Sequence, residues 1–221
     1  MITVSKEDYL KAILEAQSEG VFVISATLAK WLSVTRPAVT TALRRLSRDG
    51  LVTVGNEGRV RLTRNGLVIA RRTVHRHHLI ERMLSEIFGM EWYKIHDEAE
   101  RLEHAVSADF EAKLVEKLGP GDKCPHGNKT ESESPAMRRR NGLLRLNEGQ
   151  PGESYVISSV YERDRKLLEF LEERGMRPGT RVVVKLRNYD QTLTIRTKRG
   201  NFSVGLPLAE RVWVKAVKSK K

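Results

Sequence analysis

The sequence predicts a mainly α-helical protein with a small β domain. Over the first 120 residues, apolar side chains recur mostly at helical spacing, interrupted by one short alternating segment. Residues 121–152 are rich in proline, glycine, serine and charge, which is typical of a linker. The short alternating runs over 153–221 predict a small SH3-like barrel. The helical part divides into an N-terminal unit over 1–63 and a second unit over 64–120.

Composition limits the classes of function. With 39% hydrophobic and 31% charged residues, and no apolar run near the roughly 20 residues of a membrane span, a soluble protein is expected. The N-terminus lacks the apolar core of a signal peptide, and Cys124 is the single cysteine, so we expect a reducing, cytoplasmic location. The net charge of +12 favours nucleic acid as partner. Neither a membrane nor a small organic substrate is expected.

Three helices and a hairpin are predicted in the N-terminal unit. The first two helices are expected over 5–18 and 24–34, each with an apolar face. The third, over 37–49, begins at Pro37, where the missing N–H costs nothing. The alternating segment 51–63 then predicts two strands joined through glycines. Helix–turn–helix followed by a hairpin is a winged helix.

A winged helix of this kind suits DNA recognition. Small polar residues at the start of the third helix can approach base edges, and arginines can bind phosphates. The candidate DNA-binding residues are Thr35, Arg36, Pro37, Thr40, Thr41, Arg45 and Arg48 of the third helix and Arg59 of the hairpin. The alternative is a winged helix that serves only protein contacts.

The middle unit is predicted to hold three further helices. Thr63 is the expected N-cap of a long helix over 64–88, a second helix follows over 92–106, and Ser107 caps a third that ends near residue 118. Several apolar side chains here exceed what one small core needs: Phe88, Met90, Trp92 and Phe110. A twofold homodimer through this unit would match a palindromic DNA site.

Side chains able to bind metal recur on these helices at helical spacing. His77 and Glu81 are four residues apart and share one helix face. Four more lie at intervals of four, three and one, which keeps them on one broad stripe: His96, Glu100, Glu103 and His104. Imidazole and carboxylate ligands suit a divalent first-row metal. Asp8 could reach this stripe from the first helix or be only a favourable acid at its start. The alternative for the whole set is a solvated helix face.

The winged helix, the segments RHHLIERMLSEIFG and KIHDEAERLEH, the CPHGN turn and the C-terminal barrel together resemble the diphtheria-toxin-repressor family of metal-dependent transcriptional repressors. The resemblance covers essentially the whole chain. It implies a DNA-binding domain, a helical dimerisation and metal domain, and an SH3-like domain. It further implies a primary metal site of Asp8, Glu100, Glu103 and His104, and an ancillary site of His77, Glu81 and His96.

The barrel of some family members also donates two ligands to the ancillary site. The matching positions here are Ser159 and Glu162, of which Glu162 can coordinate and Ser159 is a poor donor. Cys124 and His126 stand in a Pro/Gly turn, and we assign them to the turn rather than to a metal site.

The resemblance also bears on the metal. Iron-type members carry methionine and cysteine where this chain has Asp8 and Glu100, whereas manganese-type members carry carboxylates. Hard oxygen in place of soft sulfur suits Mn²⁺, so Mn²⁺ is expected, with Fe²⁺ as the alternative. Zn²⁺, Co²⁺ and Ni²⁺ should also bind in vitro. Lys11 stands where short manganese regulators carry a second acid.

These inferences predict a metal-activated repressor of metal-uptake genes that binds operator DNA as a homodimer. Metal would tie the first helix to the later ones and fix the two recognition helices, and binding should weaken below about pH 6 as histidines protonate. One alternative is a winged-helix regulator whose His/Glu stripe is structural. Another is a metal-dependent hydrolase, disfavoured because no separate general base accompanies the ligands.

Overall fold

The structure is a computed structural model that describes residues 4–217. The α-helices of this part are α1 (Val4–Ser18), α2 (Ser25–Trp31), α3 (Arg36–Arg48), α4 (Arg64–Glu86), α5 (Ile95–Leu102), α6 (Ala108–Leu118), α7 (Pro135–Arg140), α8 (Arg165–Glu173) and α9 (Leu206–Ala209). The strands are β1 (Val52–Val54), β2 (Val60–Leu62), β3 (Leu143–Arg145), β4 (Ser154–Val160), β5 (Arg181–Arg187), β6 (Leu193–Thr197), β7 (Gly200–Val204) and β8 (Val212–Ala216). None of these helices is long and apolar enough to cross a membrane.

Residues 4–63 fold as the predicted winged helix. Helices α1, α2 and α3 are followed by the antiparallel pair β1 and β2. The Thr35 hydroxyl caps α3 by accepting a hydrogen bond from the Ala38 amide at 3.4 Å. Helix α2 ends earlier than predicted because Ser33 takes a left-handed φ of 53° and stops the helix.

Helix α4 joins two hydrophobic cores. Near its start, Ala70 and Val74 pack among the buried side chains of the winged helix. Towards its end, Ile80 and Leu84 belong to a cluster that runs through α5 into the C-terminal sheet. The predicted helical unit therefore shares its packing with the domains on either side of it, and α4 is the common element of both cores.

The C-terminal sheet has six antiparallel strands in the order β3-β8-β4-β5-β6-β7. Register shifts between Ile157 and Ser159 and between Val184 and Leu186 interrupt the ladders. Such irregularities bend a strand and help a small sheet to curl. Strands β4 to β8 lie in the region whose alternating runs predicted a barrel, which confirms the SH3-like architecture.

The predicted linker over 121–152 is wrong for its second half. Ser134 caps α7, β3 pairs with β8 through Leu144 and Val214, and the side chain of Leu146 is fully buried. The barrel therefore begins near residue 143 rather than 153. Strand β3 is too short to show alternation, and the arginines around it resemble a solvated linker.

The first half of that segment is a turn docked on the barrel. Lys123 and Lys129 form an isolated antiparallel bridge, and the His126 carbonyl accepts a hydrogen bond from the Val160 amide at 3.0 Å. Gly127 has a φ of 83°, and a Cβ there would lie 2.1 Å from the Ser158 carbonyl oxygen. Glycine is thus required for this turn to approach β4.

Candidate metal centre and nucleic-acid interface

His77, Glu81 and His96 meet in a buried cluster between α4 and α5. His77 Nε2 lies 3.1 Å from Glu81 Oε1 and 3.0 Å from His96 Nδ1. The exposed fractions of the three residues are 0%, 0% and 3%. Helical spacing within α4 aligns the first two, and the packing of α5 against α4 brings in His96. The structure therefore assembles all three residues expected for the ancillary site.

The hydrogen bonds of His77 indicate that this cluster fits a cation. His77 Nδ1 lies 2.6 Å from Glu103 Oε2, so the neutral ring donates its one N–H there. The lone pair of Nε2 then faces Glu81 and His96, where it can accept a hydrogen bond from His96 Nδ1–H or bind a metal ion. Glu81 Oε2 is buried without a hydrogen-bond partner. A hydrogen bond from the second ring nitrogen to a carboxylate is the usual support of a metal-binding histidine.

Asp8, Glu103 and His104 form a second cluster where α1 approaches the end of α5. His104 Nε2 lies 2.7 Å from Asp8 Oδ1 and 3.4 Å from Glu103 Oε1. Its Nδ1 lies 3.1 Å from Glu7 Oε2, so both ring nitrogens face carboxylates. A neutral imidazole has only one N–H, so the other nitrogen needs a proton or a metal ion. Sequence analysis missed Glu7, because an acid in the first turn of a helix carries no distinctive spacing.

Glu100, the fourth residue expected in the primary site, is turned away from this cluster. It lines the same cavity of about 320 Å³ as Asp8, Glu103 and His104. Its Oε1, however, accepts a hydrogen bond from Arg163 of the C-terminal domain at 2.9 Å. The spacing of the acids correctly predicted that Glu100 lies on the helix face of the other donors. It gave no indication of the contact with Arg163.

Opposite charges shift the pKa values of both clusters. Burial disfavours the imidazolium of His96, but hydrogen bonds with Glu100 and Glu81 outweigh it and raise the pKa to about 10. Burial likewise disfavours the Glu103 carboxylate, yet hydrogen bonding to His77 and the charge of Lys11 hold its pKa below the usual range. In the metal-free protein, the first cluster therefore contains a protonated His96, and Glu103 is an ionised carboxylate beside Lys11.

A third group of donors lies beside the first and includes the turn residues. Glu81 Oε1 is 3.3 Å from His126 Nδ1, and Cys124 Sγ is 3.3 Å from Glu162 Oε2. His78, Glu81, Cys124 and Glu162 each place a donor atom within 4.8 Å of the others. His126 is fully buried, its Nε2 lies 3.1 Å from the Trp92 carbonyl oxygen, and its Nδ1 is close to Glu81 without the geometry of a hydrogen bond. The Cys-Pro-His spacing at residues 124–126 was the feature of the sequence that could have indicated this third group of donors.

Ser159 and Glu162 have different surroundings. The Ser159 hydroxyl is buried and accepts a hydrogen bond from Arg138 Nη1 at 3.2 Å. This contact gives Ser159 a structural role. Glu162 accepts a hydrogen bond from Asn128 Nδ2 at 2.6 Å and faces Cys124. The barrel thus presents Glu162, and not Ser159, to the metal-binding groups.

We expect metal binding to release protons over a wide pH range. His96 has a raised pKa of about 10, so its charge stabilises the metal-free fold below pH 6.5 and this stability is lost as pH rises through 10. Because a metal must displace that proton, Mn²⁺ affinity should rise steadily from pH 6.5 to pH 10. The weakening expected below about pH 6 would then be part of a wider pH dependence. About one proton per bound ion should leave His96 near pH 7.5.

Calorimetry in buffers of different ionisation enthalpy measures this release. His96→Gln should lower it, whereas His75→Gln, on α4 outside the three clusters, should leave it unchanged. Equal proton release from wild type and His96→Gln would contradict the expectation.

The predicted DNA-binding residues of α3 and the hairpin all lie at the protein surface. The whole set is solvent-exposed in the structure: Thr35, Arg36, Pro37, Thr40, Thr41, Arg45, Arg48 and Arg59. The inward face of α3 is formed by Val39, Leu43 and Leu46. The Arg59 guanidinium lies 5.0 Å from the centre of the Phe22 ring, which supports the hairpin arginine.

The apolar surface of the middle unit differs in part from the expectation. Phe88 is 69% exposed and Phe110 is 47% exposed, as a dimer surface requires. Trp92 is buried instead, and its Nε1–H donates to the Pro125 carbonyl at 2.9 Å. Two other apolar side chains of this unit are exposed, namely Ile87, which directly follows α4, and Val115 in α6.

Family models match the chain in three consecutive segments. Residues 1–60 match the iron dependent repressor, N-terminal DNA binding domain. Residues 63–131 match the iron dependent repressor, metal binding and dimerisation domain. Residues 144–216 match the FeoA domain, and this start agrees with the barrel boundary in the structure.

Individual proteins give the same result over most of the chain. The diphtheria toxin repressor of Corynebacterium glutamicum is 31% identical over 80% of this chain and 81% of its own length. The iron-dependent repressor IdeR of Mycobacterium leprae is 30% identical over 96% of both chains. The solved structure of a manganese-dependent transcriptional repressor complex with manganese is 29% identical, with a TM-score of 0.84 over 96% of this chain and 100% of that one.

Proposed function

Because the chain belongs to the diphtheria-toxin-repressor family of metal-dependent transcriptional repressors, we propose that it is a Mn²⁺-activated repressor that binds operator DNA as a homodimer. Members of this family are regulators rather than enzymes. One observation carries the proposal: Asp8 of the winged helix meets Glu103 and His104 of the helical unit in a single donor cluster. An ion held there joins the DNA-binding domain to the rest of the protein.

The residues that would hold metal fall into two adjacent groups. Asp8, Glu103 and His104 would form the primary site, with Glu100 able to join from the same cavity wall. His77, Glu81 and His96 would form the ancillary site, with Glu162 beside them. The hydrogen bond between His77 and Glu103 links the two groups. A bound divalent ion supplies the positive charge that protons and ammonium groups supply in its absence.

The donor types favour Mn²⁺ at the primary site. Its donors are carboxylate oxygens and one imidazole, which are hard or borderline ligands. The thiol of Cys124 lies instead beside Glu81 and Glu162, where a softer ion such as Zn²⁺ would be favoured. Similarity to a manganese-dependent repressor supports this reading, and similarity to iron-dependent repressors keeps Fe²⁺ as the alternative.

Metal would act on DNA affinity by shifting a conformational population. An ion that binds more tightly when α1 lies against the end of α5 must favour that arrangement. The exposed face of α3 would then be held in the orientation that both copies need to enter successive major grooves. The twofold dimer would form through the exposed apolar side chains of this unit, which are Phe88, Phe110, Ile87 and Val115. The repressed genes would be those for metal uptake.

The test is binding of the chain to its own promoter fragment at fixed salt, first in chelator and then with Mn²⁺, Fe²⁺ and Zn²⁺ added back. Salt must be constant because phosphate contacts make affinity strongly salt-dependent. We expect binding to require metal, and His104→Ala to lower Mn²⁺ affinity by at least about 10- to 100-fold. His75→Ala on α4 is the matched control. Equal DNA binding in chelator would refute the proposal and leave the His/Glu stripe a structural feature.

A further inference from the structure

A buried ammonium group stands between the two metal-binding clusters. Lys11 of α1 is only 3% exposed. Its Nζ lies 2.7 and 2.9 Å from the two oxygens of Glu103 and 3.0 Å from His77 Nδ1. Glu100 Oε1 is 3.5 Å away. One lysine therefore touches the expected ligands of both sites.

The position of Lys11 constrains what Glu103 can offer to a metal ion. Both Glu103 oxygens accept from the ammonium, and one of them also accepts from His77. A metal bound by Glu103 must then share an oxygen with Lys11 or displace it. In the first case a divalent ion and an ammonium approach one another beside a buried carboxylate, and in the second a buried ion pair is broken. Both are unfavourable.

The same contact also joins two parts of the fold without metal. Lys11 belongs to the winged helix, whereas Glu103 follows α5 and His77 lies on α4. The contact occupies the junction that a metal ion at Asp8, Glu103 and His104 would strengthen. Arg163 makes a comparable contact from the C-terminal domain, since it pairs with Glu100 at 2.9 Å and with Glu15 of α1 at 2.7 Å.

We propose that Lys11 is a tethered cation that holds α1 against α4 and α5 when metal is absent and competes with the divalent ion for Glu103 when metal is present. This inference rests on the proposed function, because it assigns the residue that sets the metal threshold of that switch. Lys11 weakens metal binding and at the same time keeps the metal-free junction from coming apart. Removing its charge should therefore separate these two effects.

The test compares Lys11→Met with wild type in two measurements. Bound Mn²⁺ is counted by electron paramagnetic resonance, and the unfolding midpoint is followed with chelator and with saturating Mn²⁺. We expect Lys11→Met to bind Mn²⁺ about 10- to 100-fold more tightly, the usual range of a coupling between sites. Its midpoint should fall in chelator and recover with Mn²⁺, so that the metal-induced rise exceeds that of wild type.

Two variants serve as controls, and a third replaces Lys11→Met should it fail to fold. Lys6→Met changes a partly exposed lysine of α1 paired with Asp49 and should leave Mn²⁺ affinity unchanged. Lys11→Arg keeps the charge and should retain wild-type affinity. Lys11→Gln keeps a hydrogen-bond donor without the charge and should behave as Lys11→Met.

The outcomes distinguish this inference from the proposed function. Wild type that binds no Mn²⁺ overturns both. Wild type that binds Mn²⁺, with Lys11→Met and Lys11→Gln binding no more tightly, overturns only the role of Lys11. A midpoint that falls equally with and without Mn²⁺ shows that Lys11 is a structural ion pair, and it also overturns the inference.

Discussion

Replacement of Glu103 with glutamine is expected to lower the free energy of unfolding of the metal-free protein by about 3–5 kcal/mol, because it removes the closest counter-ion of a buried ammonium. Glu103 is 2% exposed and accepts from Lys11 through both oxygens. The amide would present an N–H to Lys11 or to His77, and either contact is repulsive. The same change removes an anionic donor from the Asp8–Glu103–His104 cluster. Mn²⁺ binding at that cluster should be lost.

Denaturant unfolding in chelator and Mn²⁺ binding measure the two effects of Glu103→Gln. Glu98→Gln is the matched control, because Glu98 lies on α5, is partly exposed and pairs only with Arg101 among the described side chains. Its unfolding free energy should change by less than about 0.5 kcal/mol. A Glu103→Gln protein as stable as Glu98→Gln would show that the buried ion pair is absent in solution.

The local signals in the sequence predicted the elements well. Thr63 and Ser107 each accept a hydrogen bond from the backbone amide three residues later, as their positions before helical runs indicated. The His77–Glu81 spacing also gave a true neighbour pair. Such signals are read within one turn of helix, so they do not depend on how the chain folds back.

The division of the donors among the clusters was less predictable. His96 and Glu100 are four residues apart on α5 and lie 3.5 Å from each other, but His96 also contacts α4 whereas Glu100 also contacts Arg163. That difference depends on contacts across more than 60 residues of sequence, as the Arg163–Glu100 separation of 63 shows. In the sequence, Lys11 is distinguished only as a lysine at a position where short manganese regulators carry an acid. Its contact with Glu103 spans 92 residues, and no local pattern marks it.

For the Cys124–His126 turn, the sequence likewise predicted the local structure but not the contacts. Proline and glycine correctly predicted a turn, and the turn then places Cys124 beside Glu162 because Gly127 permits close approach to β4. The sequence specified the conformation of the turn, whereas the barrel strand against which it packs determined its chemical environment.

The largest purely structural effect is expected for Gly66→Ala, at the point where α4 leaves the wing. A Cβ on Gly66 would lie 2.0 Å from the Leu51 carbonyl oxygen and 3.4 Å from Leu10 Cδ2. The Leu51 oxygen cannot move freely, because it accepts a hydrogen bond from the Thr63 amide at 3.0 Å. Relief of the clash requires α4 to shift away from the hairpin, which should cost about 3 kcal/mol of unfolding free energy.

Gly55→Ala is the control for this change, because its φ is −91° and the nearest atom to a new Cβ is 3.9 Å away. Thermal unfolding and promoter binding with saturating Mn²⁺ are the measurements. Since α4 carries His77 and Glu81 and also packs against the wing, a displaced α4 should weaken DNA binding even when metal is bound. If Gly66→Ala matched Gly55→Ala in both, α4 would not be fixed rigidly against the hairpin. Metal could then orient α3 only through α1, and Asp8 would be its single route to the DNA.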